Sequence, residues 1–317
     1  MTDTVLARAT AVPRTRRLKV VVALGGNALL QRGEAPTAEV QRGHAADAMA
    51  AIAAIAADHD VVLTHGNGPQ VGLLALQASA YAAVPPYPLD VLGAESEGMI
   101  GYVLEQELEN RLPGRIVATI LTQVVVDPHD PGFAQPTKPI GQVYTREEAE
   151  RLARDLGWSI APDNDSFRRV VACPEPLRIV ELAAIRALAD AGALVVCTGG
   201  GGIPVVEENG VLRGVEAVID KDLGGELLAR SLGADFYLML TDVHAVVDGW
   251  GTPEAAPIRS ATVAELRRLT FAPGSMGPKV EAACRFVERT GGTAAIGALD
   301  EAVAILAGEA GTTVSPS

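Results

Sequence analysis

Short apolar runs, each about the length of a strand, recur along the chain with helical stretches between them. This alternation limits the possible folds more than any other feature. VVVAL (20–24) precedes an Ala-rich stretch over roughly 37–58, read as a helix. VVLT (61–64), VATILTQVVV (117–126), ALVVCT (193–198), FYLMLT (236–241) and TAAIG (293–297) follow, and each is read as one strand. Strands alternating with helices predict an α/β fold around a mostly parallel sheet. In such sheets ligands bind at the carboxyl ends of the strands.

The stretch from 127 to about 169 breaks the rhythm. It holds Pro128, Pro131, Pro136, Pro139 and Pro162, and one short helix opened by the capping pattern Thr145-Arg-Glu-Glu148. It is read as a small inserted subdomain over the sheet edge. No internal repeat or low-complexity tract is found.

Composition narrows the partners. With 317 residues, 48% of them hydrophobic, the chain can build the core of one large domain or two lobes. A net charge of -13 argues against a nucleic-acid or anionic-membrane surface, though not against a local basic pocket. No apolar run reaches the length of a membrane span. Cys173, Cys197 and Cys284 are dispersed and form no C-x-x-C, which fits a reduced, cytoplasmic protein. The histidines show no metal-binding spacing, so no protein ligand for a metal is named. Residues 1–18, with Arg14, Arg16 and Arg17 but no apolar centre, are read as a mobile N-terminal extension.

Three strand ends carry glycine-rich turns: Gly25-Gly26-Asn27, His65-Gly66-Asn67-Gly68 and Gly199 to Gly202. Backbone N–H groups in such turns can form an anion nest that glycine lets a ligand approach closely. Glycine serving a tight turn explains any single one of them equally well; three at successive strand ends suggest a site for several anionic groups. Candidate cations come from elsewhere. Lys221 lies between Asp220 and Asp222 before a helix with Leu223, Leu227 and Leu228 on one face; the triplet also reads as a solvated helix start. Lys279 sits in the first turn of a helix opened by Pro278 and ended by Gly291-Gly292, where the helix dipole disfavours a cation unless an anion binds. Lys138 is clamped in the stiff loop PTKPIG.

The blocks ALGGNALL, THGNGPQVGLL, LTQVVVDPHDPGFAQPTKPIG, TGGGGIPVV, GVEAVIDKDL, LTDV and FAPGSMGPKVEAA, in this order, resemble the carbamate kinases of the amino-acid kinase family. The resemblance covers nearly the whole chain after residue 18. It implies a three-layer αβα sandwich, residues 19–317 forming one domain with an acceptor lobe to about 212 and a nucleotide lobe from about 213. It also implies a homodimer, and reversible phosphoryl transfer between ATP and carbamate, giving carbamoyl phosphate and ADP, with magnesium. Such enzymes serve arginine fermentation or purine and allantoin breakdown. Most of the wider family carries a lysine in the first strand where this chain has Ala23; the resemblance gives that charge to Lys138. The chain departs from the usual pattern at Ser166-Phe167, Val171 to Pro174 and His244-Ala245.

Matched position by position, the resemblance assigns Gly25, Gly26 and Asn27 to the transferring phosphoryl and acceptor through backbone donors, and Gly66 and Asn67 to carbamate or its phosphorylated product. Lys138 and Lys279 neutralise the migrating group, Lys221 the nucleotide phosphates, and Asp222 orients the lysines. Thr241, Asp242, Val243, Met276 and Gly277 line the nucleotide pocket; magnesium rests mainly on phosphate oxygens and water. Carbamate is already anionic, so the reaction needs alignment and charge neutralisation rather than a base. His65 is accordingly read as support for its turn. Trp250 reads equally as a cover for the nucleotide base or as a surface aromatic. The competing readings are a kinase for another small acid and a nucleotide-binding sensor or storage protein without turnover. A dinucleotide oxidoreductase is disfavoured, because no strand runs into G-x-G-x-x-G.

Overall fold

The computed structural model describes residues 16–31, 33–163, 165–271 and 276–316. Of the extension expected over 1–18, residues 1–15 lie outside the described residues. Arg16 and Arg17 reach Asp235 at 2.9 Å and Asp60 at 2.6 Å.

The first strand, Lys19–Leu24, is buried from Val20 onward, and its alternation sends successive residues to opposite faces. Val20, Val22 and Leu24 join a core with Met49, Ile52 and Ile55 of the helix Ala38–Asp58 and Leu104 and Leu108 of the helix Leu89–Arg111. Val21 and Ala23 join a second core with Leu227 and Leu228 of the helix Lys221–Leu232 and Phe286 and Val287 of the helix Met276–Thr290. Helices thus cover both faces. That is why the strand is apolar on every buried residue instead of alternating. The expected three-layer α/β sandwich is the observed one.

The large sheet has eight strands in the order Ser260–Thr262, Thr312–Ser315, Thr293–Ala298, Phe236–Thr241, Lys19–Leu24, Asp60–His65, Leu194–Cys197, Val117–Ile120. Thr293–Ala298 and Thr312–Ser315 pair antiparallel, and every other neighbouring pair is parallel.

VATILTQVVV is not one strand. Val117–Ile120 forms the edge of the large sheet, while Gln123–Val126 belongs to a second, four-stranded sheet with Ile203–Glu208, Val211–Gly214 and Pro176–Ile179. The break has a physical cause. Thr122 N–H leaves the ladder to donate to Glu97 at 3.1 Å, and Gln123 N–H donates to Glu181 at 2.7 Å.

The expected insertion is a three-stranded antiparallel sheet, in the order Lys138–Tyr144, Ser166–Val171, Ser159–Asp163, with the helix Arg146–Leu156 against it. Thr145 caps that helix by accepting from Glu148 N–H at 3.2 Å. Tyr144, Ala149 and Leu152 give the sheet and helix a small core of their own. The insertion packs on the helix Gly68–Ala80 at a backbone-to-backbone contact: a Cβ on Gly72 would stand 2.0 Å from Gly141 Cα. Lys138 is the first residue of the insertion's sheet, not of a free loop, and pairs in register with Val171.

Candidate active site

Four neighbouring parallel strands, Phe236–Thr241, Lys19–Leu24, Asp60–His65 and Leu194–Cys197, end side by side. Thr241 to Val243, the Gly25 turn, the Gly66 turn and the Gly199–Gly202 turn therefore form one continuous rim. Gly25 lies against Thr241, whose Cα would be 3.6 Å from an added Cβ. Gly66 lies against Gly26 and the stem of Lys221: a Cβ there would meet Gly26 N at 2.9 Å and Lys221 Cδ at 3.1 Å. Asn67 donates to Ser96 Oγ at 2.8 Å and fills the space where Gly200 lacks a side chain. Asn27 follows Gly26 in the same short turn, and its side chain is not among those described.

Not every glycine amide faces a ligand, and this corrects the expectation. Gly25 N–H donates to Leu240 O at 2.8 Å and Gly66 N–H to Leu24 O at 3.0 Å, so both are taken by the ends of the sheet. Their contribution is close approach, not donation. In the third turn, Gly199 N–H donates to Glu97 at 2.7 Å, Gly201 N–H to Thr198 O at 3.1 Å and Gly202 N–H to Gly199 O at 3.0 Å. That turn is largely braced from within, with Thr198 at φ 55°.

The lysines arrive from three elements. Asp220 caps the helix Lys221–Leu232, accepting from Asp222 N–H at 2.9 Å and Leu223 N–H at 3.3 Å, which fixes Lys221 as the first helical residue. Lys279 comes from the first turn of Met276–Thr290. Lys138 comes from the inserted sheet. Lys221 Nζ lies 2.6 Å from Asp222 Oδ1, Lys279 Nζ 3.0 Å from Asp222 Oδ2, and Lys138 Nζ 2.6 Å from Asp220 Oδ2. The Asp-Lys-Asp triplet is therefore not a solvated helix start. Asp220 is 5% exposed and Asp222 4%. Tyr237 OH fastens the Asp222 carbonyl at 2.9 Å.

Burial and charge set the protonation states. Burial and the Lys279 charge hold Lys221 down at about 8, against the pull of Asp222. Burial also works to lower Lys279, but the Asp222 charge and hydrogen bond outweigh it, and its pKa is raised. Burial works hardest to lower Lys138, but the charge and hydrogen bond of Asp220, with smaller help from Cys173 and Asp222, together outweigh it, and its pKa is raised. Burial favours a neutral Asp222, yet the two lysines keep it well below the ordinary carboxylate range.

The remaining expected residues take simple places. Asp242 and Val243 follow Thr241, whose Oγ1 donates to Asp242 at 3.0 Å; Met276 and Gly277 open the helix that carries Lys279. Trp250 is 73% exposed. His65 is buried, and burial lowers its pKa to about 4. A carbonyl only accepts, so Nδ1 donates to Gly66 O at 3.1 Å, a supporting bond made by a neutral ring. Cys173 adjoins Lys138, with its thiol pushed up to about 11 by burial.

Two residues escaped the sequence reading. In sequence Asp220 reads as part of a solvated helix start. Glu97 braces both Thr122 and Gly199, and burial raises its carboxyl to about 8. The only signal was its position among Leu92, Ile100 and Leu104 on the buried stripe of a helix. For magnesium, the nearby carboxylates are already paired with lysines, and the described residues hold no cluster of three metal-binding side chains. This donor set does not make a cage for the ion.

The amino acid kinase family model matches residues 19–297. The chain is 57% identical over 304 residues to the carbamate kinase of Rhizobium meliloti (strain 1021), covering 95% of this chain and 94% of that protein. It resembles the structure of carbamate kinase from Giardia lamblia bound to citric acid, with a TM-score of 0.90 and 42% identity over 94% of this chain and 98% of the other. The same enzyme bound to AMP-PNP matches at TM-score 0.85 and 42% identity, over 94% and 98%. The chain belongs to the amino acid kinase family and, within it, to the carbamate kinases.

Proposed function

We propose that the chain transfers a phosphoryl group reversibly between magnesium–ATP and carbamate, and that the lysine-lined rim is where it does so. The observation that carries this reading is the gathering of three ammonium groups on two buried carboxylates beside the glycine turns. In the forward direction a carbamate oxygen attacks the γ-phosphorus, an O–P bond forms, and the bond to the β-phosphate oxygen breaks. No proton has to be removed from the nucleophile. The obstacle is repulsion between two anions, and fixed positive charge opposes it best where water is excluded.

Lys138 and Lys279 neutralise the oxygens of the group in transit, and Lys221 those of the nucleotide. Asp222 keeps Lys221 and Lys279 apart and aimed. Gly26 and Asn27 receive the phosphoryl group; Gly25 and Gly66 let the two turns close around it, and Asn67 holds the acceptor. Thr241, Asp242, Val243, Met276 and Gly277 line the nucleotide side, as the likeness to an AMP-PNP complex supports. The acceptor lobe, the nucleotide lobe, a homodimer and residence in the cytoplasm belong to the same proposal, drawn from the likeness to carbamate kinases.

An acceptor panel tests the assignment. ADP release from ATP is expected with carbamate and not with acetate, aspartate, glutamate or a nucleoside monophosphate. Turnover with one of the others in preference to carbamate contradicts it. ATP binding without turnover on any acceptor favours the sensor reading instead.

A further inference from the structure

Asp220 ties together separate parts of the site. Its Oδ1 accepts the first free amides of the helix Lys221–Leu232. Its Oδ2 holds Lys138 Nζ at 2.6 Å, across 82 positions of sequence. Its charge also bears on Cys173, two residues beyond the strand that pairs with Lys138. The joint is buried, and Val218 N–H to Ala172 O at 3.0 Å lies beside it.

The cap alone does not explain this residue. Ser, Thr and Asn cap a helix about as well as Asp. Only a carboxylate also balances a buried ammonium. Because Oδ1 is fixed by two helix amides, the direction of Oδ2 is fixed as well. Lys138 is thereby registered against Lys221, the very next residue. Without such a partner, a four-carbon side chain from a separate small sheet has no fixed aim.

We propose that Asp220 is a positioning residue for phosphoryl transfer: it holds Lys138 of the inserted sheet in line with the helix start that presents Lys221. This rests on the phosphotransferase reading given above. Asp222 serves Lys221 and Lys279; Asp220 serves the third lysine, so the two aspartates divide the cluster.

The test is ATP formation from carbamoyl phosphate and magnesium–ADP by the wild type, Asp220→Asn, Asp220→Ser, Lys138→Met and Asp220→Asn/Lys138→Met, with melting temperatures for each. Both Asp220 replacements retain a cap, so each checks the other should one fold poorly. Losing one charge-assisted bond is expected to lower kcat about ten- to a hundredfold, with a smaller change in KM for ADP. The alkaline limb of the kcat profile is expected to move to lower pH. Lys138 and its neighbour Lys221 both lose a carboxylate that favours their charged form against burial. In the Lys138→Met background, Asp220→Asn is expected to add almost nothing. Wild-type kcat and pH profile in the folded Asp220 variants overturn the proposal. So does an undiminished further loss in the Lys138→Met background, the mark of a merely structural role. An inactive wild type instead defeats the phosphotransferase reading itself.

Discussion

Lys279 ends 3.0 Å from Asp222, 57 positions earlier in the chain, and the other oxygen of that carboxylate holds Lys221 at 2.6 Å. One buried charge thus restrains two that repel each other. Asp222→Asn keeps the shape and removes the charge. Breaking a buried pair costs about 3–5 kcal/mol. A melting temperature well below wild type and a fall in kcat of about a hundredfold or more are expected. Thermal melts beside the ATP-formation assay check both. A variant as stable and as active as wild type means that the lysines need no such restraint.

On the proposed mechanism, Lys221 is expected to give the activity an alkaline limit. Burial and Lys279 bring its pKa from 10.5 in the unfolded chain to about 8 in the folded one. Between those values the unfolded chain binds more protons, so this group makes stability rise with pH across that window. Activity runs the other way, because the ammonium form is the useful one. The profile of kcat/KM is expected to bend down near pH 8, and Lys221→Arg, which stays charged, is expected to abolish the bend. A flat alkaline profile in the wild type contradicts this assignment.

Gly66 is a packing requirement between two turns. A methyl group there would stand 2.9 Å from Gly26 N and 3.1 Å from both Gly26 Cα and Lys221 Cδ. Gly66→Ala is expected to cost about 1–3 kcal/mol through overpacking. Its larger effect is a loss of kcat, since the displaced atoms belong to the first turn and a lysine stem. Urea melts and steady-state rates separate the two; unaltered kcat shows that the turns have room to part.

Glu97 makes the fold sensitive to pH. Burial raises its carboxyl from 4.5 to about 8. Across that window the folded chain holds a proton that the unfolded chain has released, so this contribution to stability falls as pH rises. Glu97→Gln is expected to flatten the decline in melting temperature over the same range. An unchanged slope shows that Glu97 stays ionised in its amide cradle.

Much of the fold is legible in the sequence because buried parallel strands carry an unmistakable composition. Val20 to Leu24 and Phe236 to Leu240 are apolar throughout, covered on both faces. The break inside Val117 to Val126 is not legible. Strand propensity runs through it unchanged, and what ends the ladder is a long-range bond from Thr122 to Glu97. The site is similarly divided. Glycine turns and lysines stand out locally. Which amides remain free is decided by neighbours such as Leu240 and Leu24, which no local pattern names. Asp220 and Asp222 look alike as letters, and only the packing shows that each serves different lysines.

On the proposed mechanism, Lys138, delivered by the inserted sheet, neutralises the group in transit. Lys138→Ala, assayed for ATP formation from carbamoyl phosphate and ADP, tests it most directly. A kcat lower by about a hundredfold is expected, with KM for ADP changed far less. An unchanged kcat in a folded Lys138→Ala protein contradicts it.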